Sequence, residues 1–142
     1  MPHFATDGTA VNGGLPQLGN LTLHLELFER DFAAMIPNPD YRGYCLLDYE
    51  FWRADWNSTP DNYRAASIAH AGGDAAIGKA QYEAGSKRFL LGTIDAARAL
   101  RPGCRLGCYG YPRNDLPTSA PNTPAWKQYC KEHPFDCTYA GY

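Results

Sequence analysis

Gly43-Tyr44-Cys45-Leu46-Leu47-Asp48-Tyr49-Glu50-Phe51-Trp52-Arg53 is the stretch on which the fold turns. Tyr44-Cys45-Leu46-Leu47 is a short apolar run after a glycine and reads as a buried strand. It leads into two acids separated by one residue. Side chains alternate along a strand, so Asp48 and Glu50 share one face. The reading places that face inward, where two neighbouring carboxylates cannot both ionise cheaply. Tyr49, Phe51 and Trp52 surround them with aromatic surface, which favours a neutral carboxyl further. A carboxylic acid held protonated near neutral pH is a general acid. Paired acids with aromatic platforms suit glycoside hydrolysis: sugar faces stack on rings, and the leaving oxygen needs a proton. Asp48 and Glu50 are therefore the candidate catalytic pair, with Tyr49 and Trp52 as candidate sugar-contacting rings. The D-x-E pattern alone also fits a strand end carrying two solvated acids.

Upstream, residues 1–19 are rich in glycine and polar residues and read as an N-terminal loop. Asn20 can cap a helix starting at Leu21. Leu21, Leu25, Phe28, Phe32 and Met35 recur at steps of four and three, one helical stripe that stops at Pro37. Downstream, Ser58 or Thr59 with Pro60 marks a second helix start. That helix runs through Tyr63, Ala66 and Ile68 and breaks at Gly72-Gly73. Residues 75–101 form the longest helical stretch, ended by Arg101-Pro102-Gly103. Gly78, Gly85 and Gly92 recur every seven residues within it, a small-residue stripe suited to close packing on a sheet. Residues 105–111 read as a second strand ended by Pro112, and residues 113–142 as a Pro- and Asn-rich loop or tail. Strand, crossover helix and strand is a βαβ unit with a parallel pair. A parallel pair needs both faces covered, and one long helix covers only one. The order describes a slice of an α/β fold.

The chain has 142 residues, 44% of them apolar and 20% charged, which fits one globular domain with one core. Thirteen basic and fifteen acidic residues leave a net charge of −2, so no charge excess points to nucleic acid or an anionic membrane. No run is long and apolar enough to span a bilayer, and no signal peptide is visible at the N-terminus. The five cysteines are Cys45, Cys104, Cys108, Cys130 and Cys137. Cys45, within an apolar run, reads as a buried small hydrophobe. Cys130 and Cys137 make a plausible local disulfide, which would require an oxidising compartment. The four histidines are scattered, and no second pair accompanies Cys104 and Cys108, so no metal site is expected. No cofactor is implied. Asn20-Leu21-Thr22 and Asn57-Ser58-Thr59 are glycosylation sequons.

Three blocks carry a resemblance to a known family. Val11-Asn12-Gly13-Gly14-Leu15-Pro16-Gln17 is similar to an NGGxPQ motif, and the 20–37 helix to a leucine-rich helix ending in IPxP. Leu47 to Arg53 is similar to a strand ending in DWExWRP. Together they resemble the hyaluronidase family of glycoside hydrolases, especially its arthropod members. Asn57, Asp61, Tyr63, Arg64 and Ser67 match the segment that follows, and Arg101-Pro102 with Leu106 to Pro112 resembles an RP…WGYYxFP strand. The likeness runs in order from Val11 to Pro112.

The resemblance implies a (β/α)8 TIM-type barrel, of which residues 20–112 would be a partial catalytic domain. A complete barrel takes roughly 250 residues, so 142 cannot close one. It also implies cleavage of β-1,4 bonds at N-acetylhexosamine in hyaluronan or chondroitin, by a substrate-assisted retaining mechanism. Glu50 would be the acid and then the base, Asp48 would orient the acetamido group that attacks C1, and Tyr109 would contact that group. The implied partner is a glycosaminoglycan and the implied location extracellular or lysosomal; nothing in the pattern fixes an oligomeric state. The chain departs from the family in several places. Tyr49 stands for the tryptophan between the acids, Ala54 for the proline after Trp-Arg, and Cys108 for the first aromatic of the GYY-type run. Arg113, Asn114 and Asp115 follow Pro112, so the FPxC cysteine has no match. The family's first strand and its later strands have no counterpart in this sequence. The alternative is a non-catalytic glycan-binding or vestigial fragment of the family.

Overall fold

A computed structural model describes residues 1–109 together with Pro124, Lys127, Gln128 and Lys131. Those last four are helical and exposed, within the stretch expected as loop or tail. Gly110 to Pro112 of the expected second strand, and the Cys130–Cys137 pair, lie outside the described residues.

Two helices pack on one face of a two-stranded parallel sheet. Helix α1 (Leu21–Met35) begins where expected, with the Asn20 side chain accepting from the Leu23 amide at 3.1 Å. The NGG motif explains that start. Asn12, Gly13 and Gly14 all take positive φ, and a Cβ at Gly13 would sit 2.6 Å from the Leu18 carbonyl oxygen. The tight turn lets the Asn12 side chain accept from the Asn20 amide at 2.8 Å and donate to its carbonyl at 3.1 Å. The motif thus fastens the entry of α1. The region expected as plain loop also holds a short antiparallel pair, β1 (His3–Phe4) with β2 (Ala10–Val11).

Strand β3 (Tyr44–Leu47) pairs in parallel with β4 (Arg105–Cys108), in the register Cys45 to Leu106 and Leu47 to Cys108. The expected βαβ connection is present: α2 (Asp61–His70) and α3 (Ala75–Leu100) lie between the strands in sequence. Helix α3 is capped by Asp74, whose carboxylate accepts from the amides of Ala76 and Ile77. Both strands are shorter than the sequence suggests. The last sheet bond runs from the Tyr109 amide to the Leu47 carbonyl at 2.8 Å, so the two acids lie just past the end of β3.

The packed face of β3 presents Cys45 and Leu47. Leu47 meets Leu90, Ile94 and Ala54, while Cys45 meets Phe32 and Ala97. A second cluster gathers Trp52, Tyr63, Tyr82 and Phe89 with Leu15. Cys45 is not a free hydrophobe: it forms a disulfide with Cys104, across a Cα separation of 6.2 Å. Parallel pairing brings β3 beside the residue that precedes β4, a proximity that no sequence spacing shows. Cys108 keeps a free thiol, which burial pushes above its ordinary pKa.

The glycine stripe of α3 packs closely, but not on the sheet. A Cβ at Gly78 would lie 2.9 Å from the Ser67 carbonyl oxygen on α2, and one at Gly85 would lie 2.5 Å from the Gln17 amide. The Arg-Pro pair after α3 is structural too. Arg101 is buried and donates from Nε to the Ile36 carbonyl at 2.8 Å, closing the end of α1 against α3. No helix among the described residues is long and apolar enough to cross a membrane, and none of their His, Cys, Asp and Glu side chains cluster to hold a metal.

Candidate functional site

Alternation sorts the residues of β3 and β4 onto two faces. Cys45, Leu47, Leu106 and Cys108 turn toward the helices. Tyr44 and Leu46 turn away, at 73% and 68% exposure. The chain continues in the same alternation past the strand: Asp48 exposed, Tyr49 half-buried, Glu50 exposed. Tyr109, directly after Cys108, is 61% exposed. Register carries Tyr109 alongside Asp48, so both stand on the open face at the carboxyl ends of neighbouring parallel strands. Glu50 follows two residues on.

That open face corrects the expected setting of the acids. Both lie past the end of β3 and meet solvent rather than the core. Two of the aromatic residues beside them, Tyr49 and Trp52, point the other way, while Phe51 stays exposed. Trp52 is fully buried and donates from Nε1 to the Pro2 carbonyl at 2.7 Å. A ring with no exposed surface cannot serve as a sugar platform; Trp52 is a core residue here. Tyr49 is likewise turned inward. Its ring packs edge-on against Trp52, and its hydroxyl lies 2.5 Å from Thr93 Oγ1 on α3. Burial pushes the Tyr49 phenol up to about 12, so it stays protonated.

Thr93 joins a small polar network that sequence reading missed. Its Oγ1 donates to the Phe89 carbonyl at 2.8 Å and lies 2.9 Å from His24 Nε2. His24 is buried on α1, and burial lowers its pKa to about 4. The signal was present: position 24 falls on the apolar stripe between Leu21 and Phe28. Tyr49, Thr93 and His24 therefore pin the acid-bearing segment to both helices. Arg53 adds a further tie, donating from Nη1 to the Tyr49 carbonyl at 2.8 Å.

Beside Asp48, a groove of about 670 Å³ runs between α1 and β3. Leu27, Phe28, Met35 and Leu46 line its length, and Asp48 and Tyr49 stand at one end.

Exposed acids and a tyrosine at the carboxyl ends of parallel strands mark an α/β protein of the kind that carries its site there. Comparison with known proteins makes this specific. The family model described as hyaluronidase matches residues 1–132. Human hyaluronidase-1 is 36% identical over 123 residues, covering 78% of this chain and 28% of that protein. Hyaluronidase PH-20 of Rattus norvegicus is 37% identical, covering 78% and 24%. The crystal structure of bee venom hyaluronidase in complex with a hyaluronic acid tetramer superposes with a TM-score of 0.72 at 28% identity, over 92% of this chain and 46% of that one. The chain belongs to the hyaluronidase family. It spans about 28% of the length of the human relative and under half of the bee structure.

Proposed function

We propose that this chain carries the acid-bearing part of a hyaluronidase active site, built on a slice of a (β/α)8 barrel. The observation that supports the reading is that Asp48 and Tyr109 follow directly on the paired ends of β3 and β4, both exposed, with the exposed Glu50 two residues beyond Asp48. The open outer face of that pair supports the barrel slice, since parallel strands are ordinarily covered on both faces.

The proposed chemistry is hydrolysis of β-1,4 bonds at N-acetylhexosamine in hyaluronan or chondroitin. Glu50 gives its proton to the glycosidic oxygen as the C1–O bond breaks. The substrate's acetamido oxygen attacks C1, and Asp48 orients that group and balances the positive charge it gains. Tyr109 donates a hydrogen bond to the acetamido group. Glu50, now a carboxylate, takes a proton from the water that reopens the intermediate at C1, so configuration is retained. The water-poor surroundings that such an acid works in would come from the bound sugar chain and the remaining barrel walls. The Cys45–Cys104 disulfide fits an oxidising compartment, which supports an extracellular or lysosomal location.

The solvent exposure of both acids favours a second reading, a glycan-binding chain that does not cleave. Transplantation separates the two. Residues 43–109 are placed in the matching segment of the Apis mellifera hyaluronidase, which is 32% identical over 116 residues. The chimera is expected to depolymerise hyaluronan and to lose that activity with Glu50→Gln. A folded chimera that binds hyaluronan without cleaving it, or that cleaves equally well with Glu50→Gln, overturns the catalytic assignment.

A further inference from the structure

Three aromatic residues follow or interrupt the acid pair, and two of them are turned inward. Tyr49 is tied to Thr93, and Trp52 to the Pro2 carbonyl. Phe51, between Glu50 and Trp52, remains 47% exposed. It is held in place nonetheless: the His3 ring stacks on it, with centroids 4.1 Å apart and planes 20° from parallel.

His3 is itself fixed. It pairs with Val11 in the β1–β2 ladder, and its Nδ1 lies 3.1 Å from the Met1 carbonyl oxygen. The neighbouring Pro2 carbonyl accepts from Trp52, the residue after Phe51. The N-terminal segment is thereby fastened beside residues 51–52, and the stack is set before any ligand arrives. A preset ring loses little side-chain freedom on binding.

We propose that Phe51, backed by His3, is a stacking platform for one pyranose ring of the glycan, beside the sugar whose bond Glu50 would protonate. The inference rests on the proposed function and adds a binding position to it. Phe51 directly follows Glu50 in the chain, and both residues are exposed to solvent. Sugars suit this surface better than an apolar partner does. A pyranose offers an apolar C–H face to an aromatic ring and hydroxyls at its edge, and the exposed Asp48 and Glu50 carboxylates lie close enough in the chain to accept from such hydroxyls.

The test is calorimetric titration of the 142-residue chain with a hyaluronan hexasaccharide and, separately, with an N-acetylglucosamine oligomer. Phe51→Ala is expected to weaken binding by at least about fivefold, and Phe51→Trp to keep or tighten it. His3→Ala is expected to give a smaller loss, since it removes only the backing ring. Unchanged urea midpoints establish that the variants fold alike, as an exposed side chain permits. If the wild type binds hyaluronan and Phe51→Ala binds it equally well, the platform is overturned and the proposed function stands. If only the N-acetylglucosamine oligomer binds, and binding depends on Phe51, the platform holds and the hyaluronan reading fails. If neither sugar binds the wild type, both fall.

Discussion

The proposed mechanism gives the two exposed acids different roles, and that difference is measurable one residue at a time. In the proposed mechanism Glu50 transfers a proton, a step no other group there supplies, so Glu50→Gln in the active chimera is expected to abolish hyaluronan turnover while leaving sugar binding largely intact. Asp48 is proposed to act through charge on the acetamido group, so Asp48→Asn should lower kcat by about 10²-fold or more. Tyr109→Phe keeps the ring and loses one hydrogen bond, costing about 1–3 kcal/mol of transition-state binding. A rate assay on the three variants checks the order; Tyr109→Phe falling below Asp48→Asn would reverse the assigned roles. His24 gives a second residue-scale prediction, this time for stability. Its pKa is near 4 in the fold, below the ordinary 6.5, because burial disfavours the cation. The unfolded chain therefore binds the proton more readily. Stability is at full strength above pH 6.5 and declines as pH falls from there toward 4, by up to about 3 kcal/mol. Urea melts at pH 7 and pH 4.5 should show a clear drop for the wild type and a smaller drop for His24→Gln, which keeps a polar group but does not titrate. Equal drops would show that His24 is not the group responsible.

Among the elements, the glycine stripe of α3 separates packing from helix propensity. The same residue type recurs at positions 78, 85 and 92, but the surroundings differ. At Gly85 an added Cβ would come within 2.5–2.7 Å of three backbone atoms of Pro16 and Gln17, none of which can swing aside. Gly85→Ala should therefore destabilise by about 1–3 kcal/mol, even after the helix-forming gain of alanine. At Gly92 the nearest atoms are the Leu21 methyls at 3.4 and 3.5 Å, ordinary contact distances on a flexible side chain. Gly92→Ala should stabilise by up to about 1 kcal/mol. Denaturation midpoints of the two variants test this, and a shift of the same sign in both would refute it. The helices themselves were legible in the sequence, because caps, breaks and stripes are local signals: Asn20, the Gly72-Gly73 break and the stripe from Leu21 to Met35 all act within a few residues. The parallel pair was legible through the rule for strand, helix, strand order. What the sequence did not show depends on distant partners. Cys45 and Cys104 are 59 residues apart. Trp52 is removed from the surface by a carbonyl 50 residues upstream. The inward setting expected for the acids failed for a related reason: alternation fixes which residues share a face, not which face is covered. The NGG motif read correctly as a family signature, yet its residues act by holding a turn.

At the scale of the whole molecule, coverage of the sheet bears on how much of the proposed catalysis 142 residues can support. One face of β3–β4 is buried under α1 and α3, while the other presents Tyr44, Leu46 and Tyr109 to water. Asp48 stands at the edge of that open face, with the 670 Å³ groove on the α1 side, and Glu50 is exposed two residues on. In the bee structure, more than half the chain lies beyond the part matched here. An enzyme that cuts a polymer uses contacts along the whole groove to align and distort the sugar at the reacting bond. Removing those contacts leaves the acids present but the scissile bond poorly held, and misplacement by about 1 Å alone can cost about 10²-fold in rate. The isolated 142-residue chain is therefore expected to depolymerise hyaluronan at least about 10²-fold more slowly than the chimera that supplies the remaining walls. The comparison is made on purified proteins at equal concentration, by release of reducing ends, with Glu50→Gln as the background for each. Parity between the two would mean that the strand pair, two acids and one tyrosine suffice to hold the substrate, and that the remaining length of the longer relative contributes little to catalysis.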